Sequence, residues 1–178
     1  MDFWVDKRRA ELKVKLWIDK SHNDYLLYNR KVWGCPKAYR PDFLYISYQN
    51  SECWFIILEI DEDQHKSYDK VEELNRIKVI AHTLQDRCWI IRYNPDSYKV
   101  DQKIKQIKFS DRMNVLNQIL EYCKKTPPSG NIEQFYLYYD GFMEPCSCIL
   151  EDYTTPQVMQ NDSLKQEVYD VESVIKIH

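Results

Sequence analysis

Over residues 6–20 the apolar positions Ala10, Val14, Trp17 and Ile18 recur at near-helical spacing and predict a helix with a basic outer surface. Residues 24–33 (DYLLYNRKVW) read as a strand, broken by Gly34-Cys35-Pro36. Phe43 to Tyr48 is aromatic and β-branched, as strands prefer. After the polar turn Gln49-Asn50-Ser51-Glu52 comes Cys53 to Ile60 (CWFIILEI), the most apolar run of the chain. That run is continuous rather than alternating, so it predicts a central strand covered on both faces. The two runs around one short turn make a β-hairpin. Residues 69–84 follow as a helix whose apolar stripe is Val71, Leu74, Ile77, Ile80, Ala81 and Leu84, with Glu72 one turn before Arg76. Cys88 to Tyr93 (CWIIRY) is a second buried strand, closed by Asn94-Pro95-Asp96. In this β-β-α-β series the last strand can run parallel to the second through a helical crossover.

The remainder is less regular. Residues 99–108 are Lys-rich and carry no clear pattern. Ser110 can cap a helix over 111–123 with the stripe Met113, Leu116, Ile119, Leu120 and Cys123. Thr126-Pro127-Pro128-Ser129-Gly130 is a loop, and Ile132 to Tyr139 reads as a late strand. Residues 144–178 are acidic and weakly patterned, either partly disordered or a docking tail for a protein partner. The expected organisation is one α/β domain over 1–143, with a mixed β-sheet flanked by helices, and an acidic tail over 144–178.

Composition removes several function classes. With 3 Gly and neither a GxGxxG nor a GxxxxGK[ST] stretch, the chain lacks a glycine-rich phosphate cradle. No apolar run approaches the ~18 residues of a membrane span, and the chain is charged from Asp2 onward, so a secreted or membrane-embedded protein is not expected. Cys35, Cys53, Cys88, Cys123, Cys146 and Cys148 form no CxxC pair, which suits free thiols in a reducing, intracellular compartment. Residues 1–40 hold 10 Lys/Arg against 5 Asp/Glu, and residues 99–125 hold 7 against 3. Residues 59–73 reverse this, with 2 against 7. An acidic centre between basic segments fits a metal site beside a phosphate-binding surface, and it also fits an ordinary mixed surface.

The candidate chemistry lies in Arg40-Pro41-Asp42-Phe43 and in Ile57-Leu58-Glu59-Ile60-Asp61-Glu62-Asp63-Gln64-His65. Asp42 enters the first hairpin strand and Glu59 lies near the end of the second, so antiparallel pairing can bring them together. Two carboxylates at one sheet edge repel unless a cation sits between them. Asp61, two residues beyond Glu59, points to the same face of an extended chain. His65 follows after a short turn, and histidine is the side chain suited to accept a proton near neutral pH. The plainer reading makes Asp42 a turn residue, Asp61-Glu62-Asp63 a solvated turn, and Glu73 with Arg76 an exposed helix pair. Arg92, at a strand end, can meet a phosphate or pair with a site carboxylate. Lys7, Arg8 and Arg9 can touch a nucleic-acid backbone or form a solvated helix face.

The pattern D…ExD…H, preceded by RPDF and followed by a helix and a strand ending in Arg92, resembles the PD-(D/E)xK nuclease superfamily. Over about residues 39–98 it is similar to the very-short-patch-repair and homing-endonuclease branch, and to nucleases of large DNA viruses. The resemblance implies a restriction-endonuclease-like fold and a metal-dependent endonuclease acting on DNA rather than RNA. It implies Asp42, Glu59 and Asp61 as ligands of Mg²⁺, with Mn²⁺ as a substitute, and His65 as the base that activates water. Arg40, Arg92, Lys7, Arg8 and Arg9 would contact nucleic acid. It also implies residence in the cytoplasm, nucleus or virion, and admits a homodimer. Asp61 departs from the family, which mostly has Lys there. A Lys positions water and offsets charge, whereas an Asp binds metal or accepts a proton. A nuclease-fold binding or structural protein without turnover is therefore the rival reading.

Overall fold

The computed structural model describes residues 3–84, 87–141, 146–150 and 169–170, with side chains from Ala10 onward except at Lys70 and in the last two segments. In chain order the elements are α1 (Phe3–Ser21), β1 (Leu27–Tyr28), β2 (Phe43–Gln49), β3 (Glu52–Ile60), a 3-10 turn (Glu62–His65), α2 (Lys70–Leu84), β4 (Arg87–Tyr93), β5 (Tyr98–Val100), β6 (Lys103–Lys105), α3 (Phe109–Lys125), β7 (Ile132–Leu137), β8 (Cys146–Leu150) and β9 (Tyr169–Asp170). The main sheet has the order β1-β2-β3-β4-β7-β8-β9, and β5 with β6 forms a separate hairpin. Strands β2 and β3 are antiparallel, β3–β4 and β4–β7 are parallel, and β7–β8 is antiparallel. The chain is thus α/β with a mixed sheet flanked by helices, and the β-β-α-β core has its last strand parallel to its second.

The continuous apolar runs of β3 and β4 are explained by cover on both faces. Trp54, Ile56, Leu58 and Ile60 pack with Trp89, Ile91 and Tyr93 against Val14 and Ile18 of α1 and Met113, Leu116, Ile119, Leu120 and Cys123 of α3. Ile57 and Ile90 face the other way, onto Ile77 and Ile80 of α2. Period-2 alternation then places Glu59 and Arg92 on the α2 side. The Trp54 and Trp89 indoles donate to the Cys123 and Thr126 carbonyls, each at 2.7 Å. Those carbonyls belong to the end of α3, where backbone acceptors lack helical partners.

Several expected elements are redrawn. The strand expected over 24–33 shrinks to Leu27–Tyr28, and residues 29–42 form a loop. The Lys-rich stretch forms the β5–β6 hairpin, turning through Asp101 and Gln102 at φ 49 and 63. Helix α3 begins at Phe109, earlier than expected, so Ser110 falls inside the first turn and the N-cap position goes to Lys108, which offers no side-chain acceptor. Val71 is not part of the α2 stripe, being 60% exposed. Within the segment read as a tail, β8 pairs with β7 and β9 with β8. The rest of 144–178 lies outside the described residues, and so does any docking role for it. Among the described residues no helix is long and apolar enough to cross a membrane. Cys35 and Cys123 are free thiols.

Candidate active site at the strand ends

The hairpin register pairs Phe43 with Leu58, so Asp42 and Glu59 are the next residues to face each other. The Ile60 amide donates to Asp42 Oδ2 at 2.6 Å, which fixes the Asp42 carboxylate across the strand end. Both carboxylates line a cleft of about 320 Å³, together with Glu11 of α1, Arg40, Ile60, Glu62, His65, Tyr68, Glu73 and Arg76. This cleft opens at the carboxyl ends of the parallel strands, where open α/β sheets commonly bind ligands.

Glu59 is 3% exposed. Its two oxygens meet the Arg76 guanidinium at 3.1 Å each, a bidentate pair. Arg76 also approaches Glu73 at 3.3 Å. The Glu73–Arg76 pair expected on the exposed face of α2 therefore turns inward and forms a wall of the site.

Asp61 is 0% exposed and does not line the cleft. The Arg92 Nε donates to its Oδ2 at 2.5 Å, and the Tyr139 hydroxyl donates to the same oxygen. Arg92 also donates to Glu73 at 2.8 Å. Of the two roles open to Arg92, the structure shows the pairing with a site carboxylate. His65 Nδ1 lies 3.1 Å from Glu73 and 3.2 Å from Asp61 Oδ1. Donation from Nδ1–H to Glu73 Oε2 leaves Nε2 as the proton acceptor of the ring, whereas Asp61 Oδ1 is near Nδ1 but receives no hydrogen bond.

An uncommon backbone presents that histidine. Asp63, Gln64 and His65 hold φ values of 52, 56 and 50, three successive residues in the left-handed region without a glycine. Side-chain clamps hold the turn. The Asp63 amide donates to Asp96 at 2.7 Å, the Gln64 amide group donates to Asp140 at 3.0 Å, and Lys66 pairs with Asp140 at 2.9 Å.

The electrostatics separate the carboxyls. Burial pushes Asp42 up to about 7, against the pull of the Ile60 amide, and the Glu11, Asp61 and Glu62 charges add to the rise. Burial pushes Glu59 up to about 8, although Arg76 pulls it down, and Asp42 and Asp61 add to the rise. Glu73 goes the other way, down to about 2, because His65, Arg76 and Arg92 outweigh its burial. The pH dependence follows from these signs. Between the ordinary carboxyl range and about pH 7–8 the folded state holds protons on Asp42 and Glu59 that the unfolded chain has released. Stability of the metal-free protein is therefore expected to fall as pH rises from about 4 to 8. Glu73 does not contribute to this slope, since its stabilisation is complete above the ordinary range and is lost only towards pH 2. Thermal melts across this pH range in a chelating buffer check the sign.

The structure thus brings Asp42, Glu59, His65 and Arg40 to one cleft and sets Asp61 and Arg92 behind it. Lys7, Arg8 and Arg9 lie on α1 ahead of Glu11, with side chains outside the described residues. Sequence reasoning did not single out Glu11, Tyr68, Tyr139 or Asp140 for the site. Two carboxylates lining one cleft suit a divalent cation, and Mg²⁺ needs only one or two of them besides water and phosphate. Among the described residues no three His, Cys, Asp or Glu side chains form a metal-holding group. No protein-family model, curated protein or solved structure matches the chain, so the site's geometry stands on its own.

Proposed function

We propose that the chain is a metal-dependent endonuclease of restriction-endonuclease-like fold, within the PD-(D/E)xK superfamily, acting on DNA rather than RNA. The observation that carries this is that Asp42 and Glu59 line one open cleft at the strand ends, with Glu11 and Glu62 beside them. Asp42 and Glu59 would hold Mg²⁺ or Mn²⁺. When bound, that ion would supply Lewis-acid activation of water and charge stabilisation on phosphate. His65 accepts the proton of the attacking water at Nε2, its ring fixed by Glu73 at Nδ1. Asp61 acts behind the cleft by holding Arg92 and His65, in place of the direct ligand role that the resemblance gives it. Arg40 lines the cleft and offers a cation to the phosphodiester.

One observation favours a second reading, a nuclease-fold nucleic-acid-binding protein without turnover. Glu59 and Asp61 already have guanidinium partners, Arg76 and Arg92, so their charges are offset without metal. Incubation of the purified protein with plasmid and with single-stranded circles separates the two. Cleavage with Mg²⁺ or Mn²⁺ that stops in EDTA is expected. Binding without cleavage under either metal would leave the second reading.

A further inference from the structure

The loop between β1 and β2 has a composition unlike the acidic cleft it borders. Residues 25–41 contain no Asp or Glu, whereas Arg30, Lys31, Lys37 and Arg40 are all exposed. Among the described residues none of these four is in an ion pair. Trp33, in their midst, is 93% exposed. A tryptophan usually buries much of its large apolar surface, and here that face stays open to a ligand.

The loop is pinned, and the exposure of Trp33 belongs to the fold. Val32 and Cys35 on either side are buried, packed with Leu44, Ile57 and Ile77. The Val32 amide donates to the Tyr39 carbonyl at 3.3 Å, and the Cys35 amide to the Val32 carbonyl at 3.3 Å. Gly34 takes φ +77 and closes the turn beside the Thr83 methyl. At its base the Asn29 amide donates to the Asp42 carbonyl at 3.0 Å. The loop is thus tied to the proposed metal ligand itself. Since Val32 and Tyr39 are paired across it, backbone reach places Trp33 within roughly 13 Å of Arg40. Bases stacked at about 3.4 Å each would bridge that distance in a few nucleotides. At the cleft wall Tyr68 offers a second aromatic, its ring centroid 4.5 Å from that of His65.

We propose that Trp33 is a stacking platform for an unpaired base, and that Arg30, Lys31, Lys37 and Arg40 track the phosphates leading from it into the cleft. An indole face held away from the protein, among cations, matches how single strands are bound without sequence readout. The preferred substrate is then single-stranded DNA, or DNA with unpaired nucleotides beside the scissile phosphate. This rests on the nuclease reading for what happens in the cleft, but binding is separable from cleavage.

The test is fluorescence anisotropy in EDTA, with a short labelled oligodeoxynucleotide used alone and annealed to its complement. Trp33→Ala is expected to weaken single-strand binding by about tenfold or more and to leave duplex binding nearly unchanged. Trp33→Phe is expected to restore most of the loss. Because the side chain is in solvent, the variant's melting temperature should match the parent's. Single-strand binding by Trp33→Ala as tight as the parent's would overturn the proposal, and so would equal losses on both DNAs. Metal-dependent cleavage alongside either result would sink this inference and spare the nuclease reading. A Trp33-dependent preference without cleavage would do the reverse.

Discussion

Asp42→Asn is expected to abolish cleavage and to stabilise the fold. The activity loss follows from removing a charged group proposed to hold the metal: about 1,000-fold, equivalent to about 4 kcal/mol of transition-state stabilisation. Glu59→Gln is expected to lose activity on the same scale. The opposite sign for stability follows from the surroundings of Asp42. Its carboxylate is half-buried beside the Glu11, Asp61 and Glu62 charges, and the Ile60 amide favours its ionised form. An Asn retains an oxygen acceptor for that amide and removes the repulsion, for a gain of about 1–2 kcal/mol at pH 8. The gain should shrink as pH falls, because Asp42 is then protonated in the parent. A residue whose removal raises stability and destroys activity is held in place by function. An Asp42→Asn protein that melts lower than the parent at pH 8 would mark this carboxylate as structural.

Arg92→Ala is expected to cost about 3–5 kcal/mol, or roughly 10 °C in Tm. Asp61 is fully buried, and Arg92 is its charged partner at 2.5 Å. Tyr139 and His65 remain after the substitution, but neither carries the fixed positive charge that offsets a buried carboxylate. Glu73 would also lose its contact at 2.8 Å. Adding Asp61→Leu to this variant is expected to recover much of the loss, because a buried ion pair replaced as a whole costs far less than one broken in half. Urea denaturation of the two variants beside the parent measures both quantities.

The architecture was legible where one physical constraint dominates. The unbroken apolar runs at Cys53–Ile60 and Cys88–Tyr93 required a sheet covered on both faces, and the crossover helix followed from their spacing. That Asp42 and Glu59 share one cleft followed from the hairpin, whose register ends at Phe43 and Leu58 beside them. The remainder depended on features that sequence does not expose. The inward turn of Glu73 and Arg76 depends on the rotation of α2, and Val71 pulled the predicted stripe towards the wrong face. Tyr139 reaches Asp61 from 78 residues away. The left-handed turn at Asp63, Gln64 and His65 has no glycine to announce it, and the β5–β6 turn uses Asp101-Gln102 where Asn-Gly would have signalled a hairpin. Asp61 shared the face expected of it, but its burial against Arg92 and Tyr139 appears only in three dimensions.

In the proposed site, Asp42 and Glu59 together hold a divalent cation. Calorimetric titration of the purified protein with Mn²⁺ near pH 7, in two buffers of different ionisation heat, measures binding and proton release together. Saturable binding with proton release is expected, because carboxyls raised to about 7 and about 8 must give up protons to the ion. Both the binding and the proton release should vanish in the Asp42→Asn, Glu59→Gln double variant. Equal binding by parent and double variant, or none by the parent, would contradict the site.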